Sequence, residues 1–213
     1  MTKSIEQDVS HTSERPKNTE STEKAAITPS APLIGSPCRK QEVLDIGFAH
    51  DRTTGKEDWL TPPEILRALG PFDLDPCSPI GRPWDTAAKH YTLEDNGLLK
   101  PWHGRVWLNP PYGNETERWL RRMANHGNGI SLIFARTETK TFFPWVWEHA
   151  TALLWLKGRL CFYTREGNRG GTAGAPSVLI AYGQENADCL KACGLPGHYT
   201  VNSVIQPSPA KKD

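Results

Sequence analysis

The string Asn109-Pro110-Pro111-Tyr112-Gly113 directly follows the apolar Val106-Trp107-Leu108. As turn chemistry, a Pro-Pro pair makes a rigid exit from a strand, and Gly113 closes the turn. As site chemistry, it supplies what methyl transfer to a poorly nucleophilic amine requires. An exocyclic amino group on adenine shares its lone pair with the ring. It becomes nucleophilic when its hydrogens are held by acceptors, so that the nitrogen can move toward sp³. The side-chain oxygen of Asn109 can accept one N–H, and the carbonyl of Pro110 can accept the other. Proline suits that place because its ring fixes the backbone. Tyr112 can stack on the base, a contact worth ~1–3 kcal/mol. A sulfonium methyl donor leaves as a neutral thioether, so neither a general acid nor a metal is required. The protein supplies alignment and hydrogen-bond acceptors. An adenine in a duplex must flip out of the stack to reach such a pocket.

The elements that would position these residues alternate in type. Short apolar runs at Phe72–Asp75, Arg105–Leu108, Gly129–Ala135, Ala152–Leu156, Arg159–Tyr163 and Ser177–Tyr182 read as strands. Several are near-continuously apolar, as strands covered on both faces must be. Thr61-Pro62-Pro63-Glu64 has the capping-box spacing, with Pro62 expected at the first helical position. Ile65, Leu66 and Leu69 then form a buried face, and Gly70-Pro71 stops the helix. Further helices are expected over Glu115–Asn125 and Thr141–His149. Strands alternating with helices imply an α/β fold with a mostly parallel sheet and flanking helices. Ligands bind beyond the carboxyl ends of such strands, where Asp75 and Asn109 both fall.

Composition sets the frame. The chain has 213 residues, which suits one domain with an appendage. Its 25 basic and 24 acidic residues leave a net charge of +1, which excludes a polybasic protein but not a local basic face. No aromatic residue precedes Phe48, and all eight tryptophans lie between Trp59 and Trp155. Residues 1–44 are therefore expected to be a disordered tail, 45–205 the folded domain, and 206–213 a flexible C-terminus. Five scattered cysteines and a polar opening indicate a reducing cytoplasm. No apolar run approaches the ~20 residues that span a bilayer, so no membrane partner is expected.

Six stretches, in order, resemble the phage-type DNA N6-adenine methyltransferase (Dam) family. They are Asp58–Pro62, Phe72–Cys77, Asp95–Leu98, Trp107–Gly113, Gly158–Phe162 and Ala175–Leu179. The resemblance spans about Asp58 to Tyr182. It implies a Rossmann-like class I methyltransferase fold that uses S-adenosylmethionine and acts on double-stranded DNA. It also implies a phage or prophage product working in a bacterial host's cytoplasm. Asn109, Pro110, Pro111 and Tyr112 match the catalytic motif. Asp75-Pro76 matches the cofactor motif after the first strand, where the carboxylate would face the amino end of the methionine. Trp59, Thr61 and Pro62 match a Trp-x-Thr-Pro element that lies against the cofactor in related enzymes. The chain departs from the wider superfamily in one loop. Cys77-Ser78-Pro79-Ile80-Gly81 stands where a Gly-x-Gly loop is usual, and fewer glycines let a ligand approach the backbone less closely. The short stretch between Asp75 and Asn109 leaves no room for a separate target-recognition domain.

Other residues carry two readings each. Asp95 can reach the cofactor's adenine or ribose, or form with Asn96 a turn before Gly97. Arg159, Arg165 and Arg169 surround a glycine-rich loop and can contact DNA phosphates, or simply solvate a hairpin connection. Arg118, Arg121 and Arg122 can likewise contact phosphates, but a helical charge cluster is more often a solvated face, and that is the preferred reading. Cys189, Cys193 and His198 fall short of four zinc ligands, so no metal is expected. Methylation of RNA adenine, of cytosine N4 or of a protein glutamine would use the same acceptors. A non-catalytic DNA-binding relic is a different class, which the intact Asn109 and Tyr112 argue against. A monomer is the default expectation.

Overall fold

The computed structural model describes residues 59–203. The expected tail 1–44, the first part of the expected domain, and the C-terminal segment 206–213 lie outside the described residues. The strands in chain order are β1 (Leu74–Asp75), β2 (Lys89–His90), β3 (Val106–Leu108), β4 (Gly129–Phe134), β5 (Ala152–Leu156), β6 (Cys161–Tyr163), β7 (Arg169–Thr172), β8 (Ser177–Tyr182) and β9 (Gly197–Val201). The helices are α1 (Pro63–Leu69), α2 (Thr116–His126) and α3 (Gln184–Ala192). Seven strands form one sheet in the order β2-β1-β3-β4-β8-β5-β9, and β6 and β7 form a separate ribbon.

The sheet is mixed. β2, β1, β3 and β4 pair in parallel, whereas β8 pairs antiparallel to both β4 and β5, and β9 antiparallel to β5. Five strands thus run one way, and β8 and β9 oppose them. The expectation of a mostly parallel sheet describes the half that carries the site. The reversal escapes the pattern because Ser177–Tyr182 is buried at every residue. A run covered on both faces reads the same in either direction.

Alternation along the strands sends side chains to two core layers. Trp107, Ile130, Leu132, Leu154 and Leu179 pack with Ile65 and Leu69 of α1 and Leu190 of α3. Val106, Leu108, Leu153, Val178 and Ile180 pack with Leu120 and Met123 of α2.

Three expectations are corrected. Arg159–Tyr163 does not join the main sheet; its end, β6, pairs with β7, whose Arg169-Gly170-Gly171-Thr172 lacks an apolar signal. Thr141–His149 is not an α-helix but holds one π-helical turn at Phe143–Trp147, closed by the Glu148 N–H reaching the Phe143 carbonyl at 3.3 Å. The capping box also fails. Pro63, not Pro62, is the first helical residue, and the N-cap Pro62 is extended at φ −51°, ψ 130°. A residue that precedes a proline is pushed out of the α region, which moves the helix start one place along. No side chain caps α1, and the Thr61 hydroxyl is left buried without a hydrogen-bond partner.

Candidate active site

A cleft of about 550 Å³ opens at the carboxyl ends of β1 and β3. Ligand sites of ~300–1,000 Å³ are typical for small molecules. β1 delivers Asp75 to its floor, and β3 delivers Asn109.

Asn109 is held in one orientation. Its Nδ2 donates to the Trp59 carbonyl at 3.2 Å. A carbonyl can only accept, so the amide nitrogen must face Trp59 and the amide oxygen must face away. That oxygen is buried and has no hydrogen-bond partner. The Asn109 carbonyl accepts from the Cys77 thiol at 3.2 Å, joining this loop to the one after β1. None of the hydrogen bonds among the described residues uses the Pro110 carbonyl. Pro111 accepts from the Thr116 hydroxyl at 2.8 Å, tying the loop to the first turn of α2.

Tyr112 stacks on Phe134, with ring centroids 4.1 Å apart and planes 12° from parallel. Its hydroxyl is buried and unpartnered, and burial pushes its pKa far up, so the phenol stays neutral. One ring face is thus backed by protein, a rigid plate on which a planar ligand can lie.

Asp75 is only 4% exposed. One carboxylate oxygen accepts from the Cys77 N–H at 3.1 Å, and the other from the Thr86 hydroxyl. Burial pushes its pKa up to about 6, against the lowering effect of those two bonds and of Arg82. Thr86 is itself positioned by His90, whose Nε2 accepts from the Thr86 and Ala87 N–H groups at 3.2 and 3.3 Å. Burial and then the Arg82 guanidinium hold the His90 pKa below its ordinary value, which preserves that lone pair. Neither Thr86 nor His90 was legible in the sequence, because each acts only through a fold-made hydrogen bond.

The remaining expected residues divide. Trp59 and Thr61 line the cleft, whereas Pro62 is buried at the start of α1 and does not. Pro76 lines it beside Asp75. Asp95 turns its carboxylate into its own loop, accepting from the Thr92 N–H at 2.9 Å and the Thr92 hydroxyl at 3.2 Å. Its neighbour Asn96, at a positive φ of 54°, lines the cleft in its place. Arg165, at the ribbon's turn, reaches the cleft, while Arg159 and Arg169 are exposed and do not line it. The ribbon is fixed beside the cleft by a two-way backbone bridge between Leu60 and Tyr163 at 2.8 and 3.0 Å. Gly170 makes room for the Trp59 indole, which a Cβ there would strike.

Among the described residues, no group of three or more His, Cys, Asp or Glu side chains is placed to hold a metal ion. Cys189 instead accepts from Arg105 and donates to the Leu69 carbonyl, and Cys193 donates to the Leu190 carbonyl. No helix among the described residues is long and apolar enough to cross a membrane.

The fold and the cleft together define a class. A mixed α/β sheet presents a buried carboxylate, an oriented amide oxygen and an aromatic plate at its strand ends. The protein-family comparison names that class more closely. The model described as DNA N-6-adenine-methyltransferase (Dam) matches residues 49–188, and the chain belongs to this family of DNA adenine methyltransferases. No curated relative and no solved structure matches the chain.

Proposed function

We propose that the chain is a site-specific methyltransferase acting on the N6 amine of an adenine flipped out of double-stranded DNA, with S-adenosylmethionine as donor. The observation that carries this reading is the Asn109 amide. Its nitrogen is spent on Trp59, and its oxygen is buried and unpartnered, on a residue that lines the same cleft as Tyr112. A buried acceptor without a donor costs ~1–3 kcal/mol, so it is expected to meet its donor in the ligand.

The residues present fit the donor. The orphaned Thr61 hydroxyl and the buried Asp75 carboxylate line the same cleft as Asn109. Bound there, S-adenosylmethionine supplies an electrophilic methyl group whose departure leaves a neutral thioether. Asp75 pairs with the ammonium of the amino-acid end. Asn109 Oδ1 and the Pro110 carbonyl accept the two amine hydrogens and direct the nitrogen lone pair outward. Tyr112, backed by Phe134, carries the base. The sheet order, with β8 reversed between β4 and β5, supports a Rossmann-like class I architecture. Arg165 contacts the DNA beside the cleft, with Arg159 and Arg169 farther along. The compartment is the cytoplasm of a bacterial host, for a phage or prophage product.

The test is product analysis. Native protein is incubated with the donor and unmethylated duplex DNA, and the digested nucleosides are identified by mass spectrometry. N6-methyldeoxyadenosine is expected. N4-methylcytosine, or label found only in RNA or protein, would overturn the assignment.

One positioning residue makes a further prediction. A Cβ on Gly97 would collide with the Pro76 carbonyl. Gly97→Ala must therefore displace the Asp75-Pro76 loop or its own turn. Titration calorimetry with S-adenosylmethionine should show at least about tenfold weaker binding, consistent with ~1.4 kcal/mol per decade. The far-ultraviolet circular dichroism should stay native.

A further inference from the structure

A second hollow, of about 410 Å³, lies against α2 and shares Leu98 and Arg118 with the catalytic cleft. Its walls are basic and aromatic. Arg118, Arg121 and Arg122 project from α2, and Trp102 faces them. The Arg122 guanidinium lies over the Trp102 ring at 5.1 Å and donates to the Lys100 carbonyl at 2.5 Å. Its Nε is buried with no partner. Trp102 in turn donates to the Gly97 carbonyl at 2.8 Å, so the wall of this hollow braces the wall of the cleft.

The charge there is not self-compensated. Glu115 pairs with Arg118 at 2.7 Å, but among the described residues no carboxylate pairs with Arg121 or Arg122. The helix dipole favours His126 in the last turn but not two adjacent arginines near the middle of the helix. A planar guanidinium held on an indole is preorganised for phosphate oxygens.

Resting on the DNA-methylation reading above, we infer that this α2 groove binds backbone phosphates of the DNA strand that enters the cleft. Arg118 stands at the junction, and Arg121 and Arg122 receive the phosphates beyond it. These contacts position the strand and carry no sequence information.

The test uses the full chain and an unmethylated duplex, with affinity measured by fluorescence anisotropy across a salt series. Each lost phosphate contact lowers the slope of log K against log salt by about 0.9. Arg121→Gln and Arg122→Gln should each reduce the slope by that amount, on duplexes of any sequence. At 0.1 M salt each should bind about eightfold more weakly, by the same relation. Arg121→Lys should keep the native slope, because a phosphate contact needs only the charge. Arg121 is exposed, so its variants test the inference even if Arg122→Gln disturbs the Trp102 stack. Unchanged slopes in both Gln variants, with tight binding by the native chain, would overturn the inference and leave the methylation reading intact. Saturable competition by inorganic phosphate at constant ionic strength, without a slope change, would also overturn it and mark a site for the free anion. Failure of the native chain to bind any duplex would remove the DNA reading and this inference together.

Discussion

Replacing Asn109 by alanine is expected to lower kcat for DNA methylation by about 10²–10³, the range seen when one preorganised hydrogen-bonding group is removed from a reacting centre. The direction follows from geometry. The buried Oδ1 is the only side-chain oxygen that the Asn109–Tyr112 stretch can offer to the amine besides the Tyr112 hydroxyl. Without it, one amine hydrogen loses its acceptor and the nitrogen lone pair stays in the ring. Donor affinity should change less than about tenfold, because the Asp75 and Thr61 side of the cleft is untouched; that figure is set by ~1.4 kcal/mol per decade. Steady-state kinetics with the calorimetric Kd of the donor would separate the two effects. Asn109→Asp sharpens the point. It retains an acceptor but sets a carboxylate oxygen against the Trp59 carbonyl, where Nδ2 now donates at 3.2 Å. Its kcat should fall between those of the native chain and the alanine variant, because the acceptor is present but no longer held. A kcat for Asn109→Ala within about threefold of native would refute the acceptor role, since the lost bond would then be worth under ~1 kcal/mol.

Asn109 as a candidate acceptor is legible in the residues, and the anchor that orients it is not. Asn109-Pro110-Pro111-Tyr112 announces itself because two prolines after an apolar strand leave few conformations. The Trp59 carbonyl that orients the amide lies fifty residues earlier and is a backbone atom, invisible to any side-chain pattern. The same contrast runs through the fold. Ala152–Leu156 and Ser177–Tyr182 are evident from apolar length alone and appear with those bounds. Lys89-His90 carries no apolar signal and is a strand only because β1 pairs with it. Gln184–Ala192 is polar over most of its length, with Asn186, Ala187 and Leu190 as its buried residues, too few to show a helical period. Gly197–Val201 is largely exposed at the sheet edge, so burial left little mark on it. Thr61 failed in the opposite way. It looked like a cap by spacing, but proline sterics moved the helix start and left its hydroxyl buried and unpartnered on a residue that lines the cleft.

Asp75→Asn is expected to make the protein more stable and the site worse. Asp75 has a native pKa of about 6, raised chiefly by burial, whereas an unfolded aspartate titrates near ~3.9. The fold therefore favours the protonated form. That stabilisation is fully present below about pH 4 and is lost as pH rises through about 6. Above that, the buried charge costs about 2–3 kcal/mol, at ~1.4 kcal/mol for each tenfold change in the proton equilibrium. Asparagine is neutral at every pH and keeps both bonds. Its oxygen can accept from the Cys77 N–H, and its amide nitrogen can donate to the Thr86 hydroxyl. At pH 8 the variant should melt several degrees higher, about 2–4 °C for each kcal/mol in a chain of this size, and the gain should vanish toward pH 4. Donor binding should move the other way. Removing one partner of a desolvated charge pair costs ~2–5 kcal/mol, so the Kd should rise at least about thirtyfold. The native Kd should also rise below pH 6, by about tenfold per pH unit, because a proton on Asp75 competes with the ligand's ammonium. The Asn variant should show no such pH dependence. The free protein carries the cost of that buried carboxylate, and on the proposed reading the ammonium of the donor is what offsets it. A variant that is less stable at pH 8 would show that the ionised Asp75 supports the fold, and one that binds the donor as tightly as native would show that Asp75 does not hold the ligand.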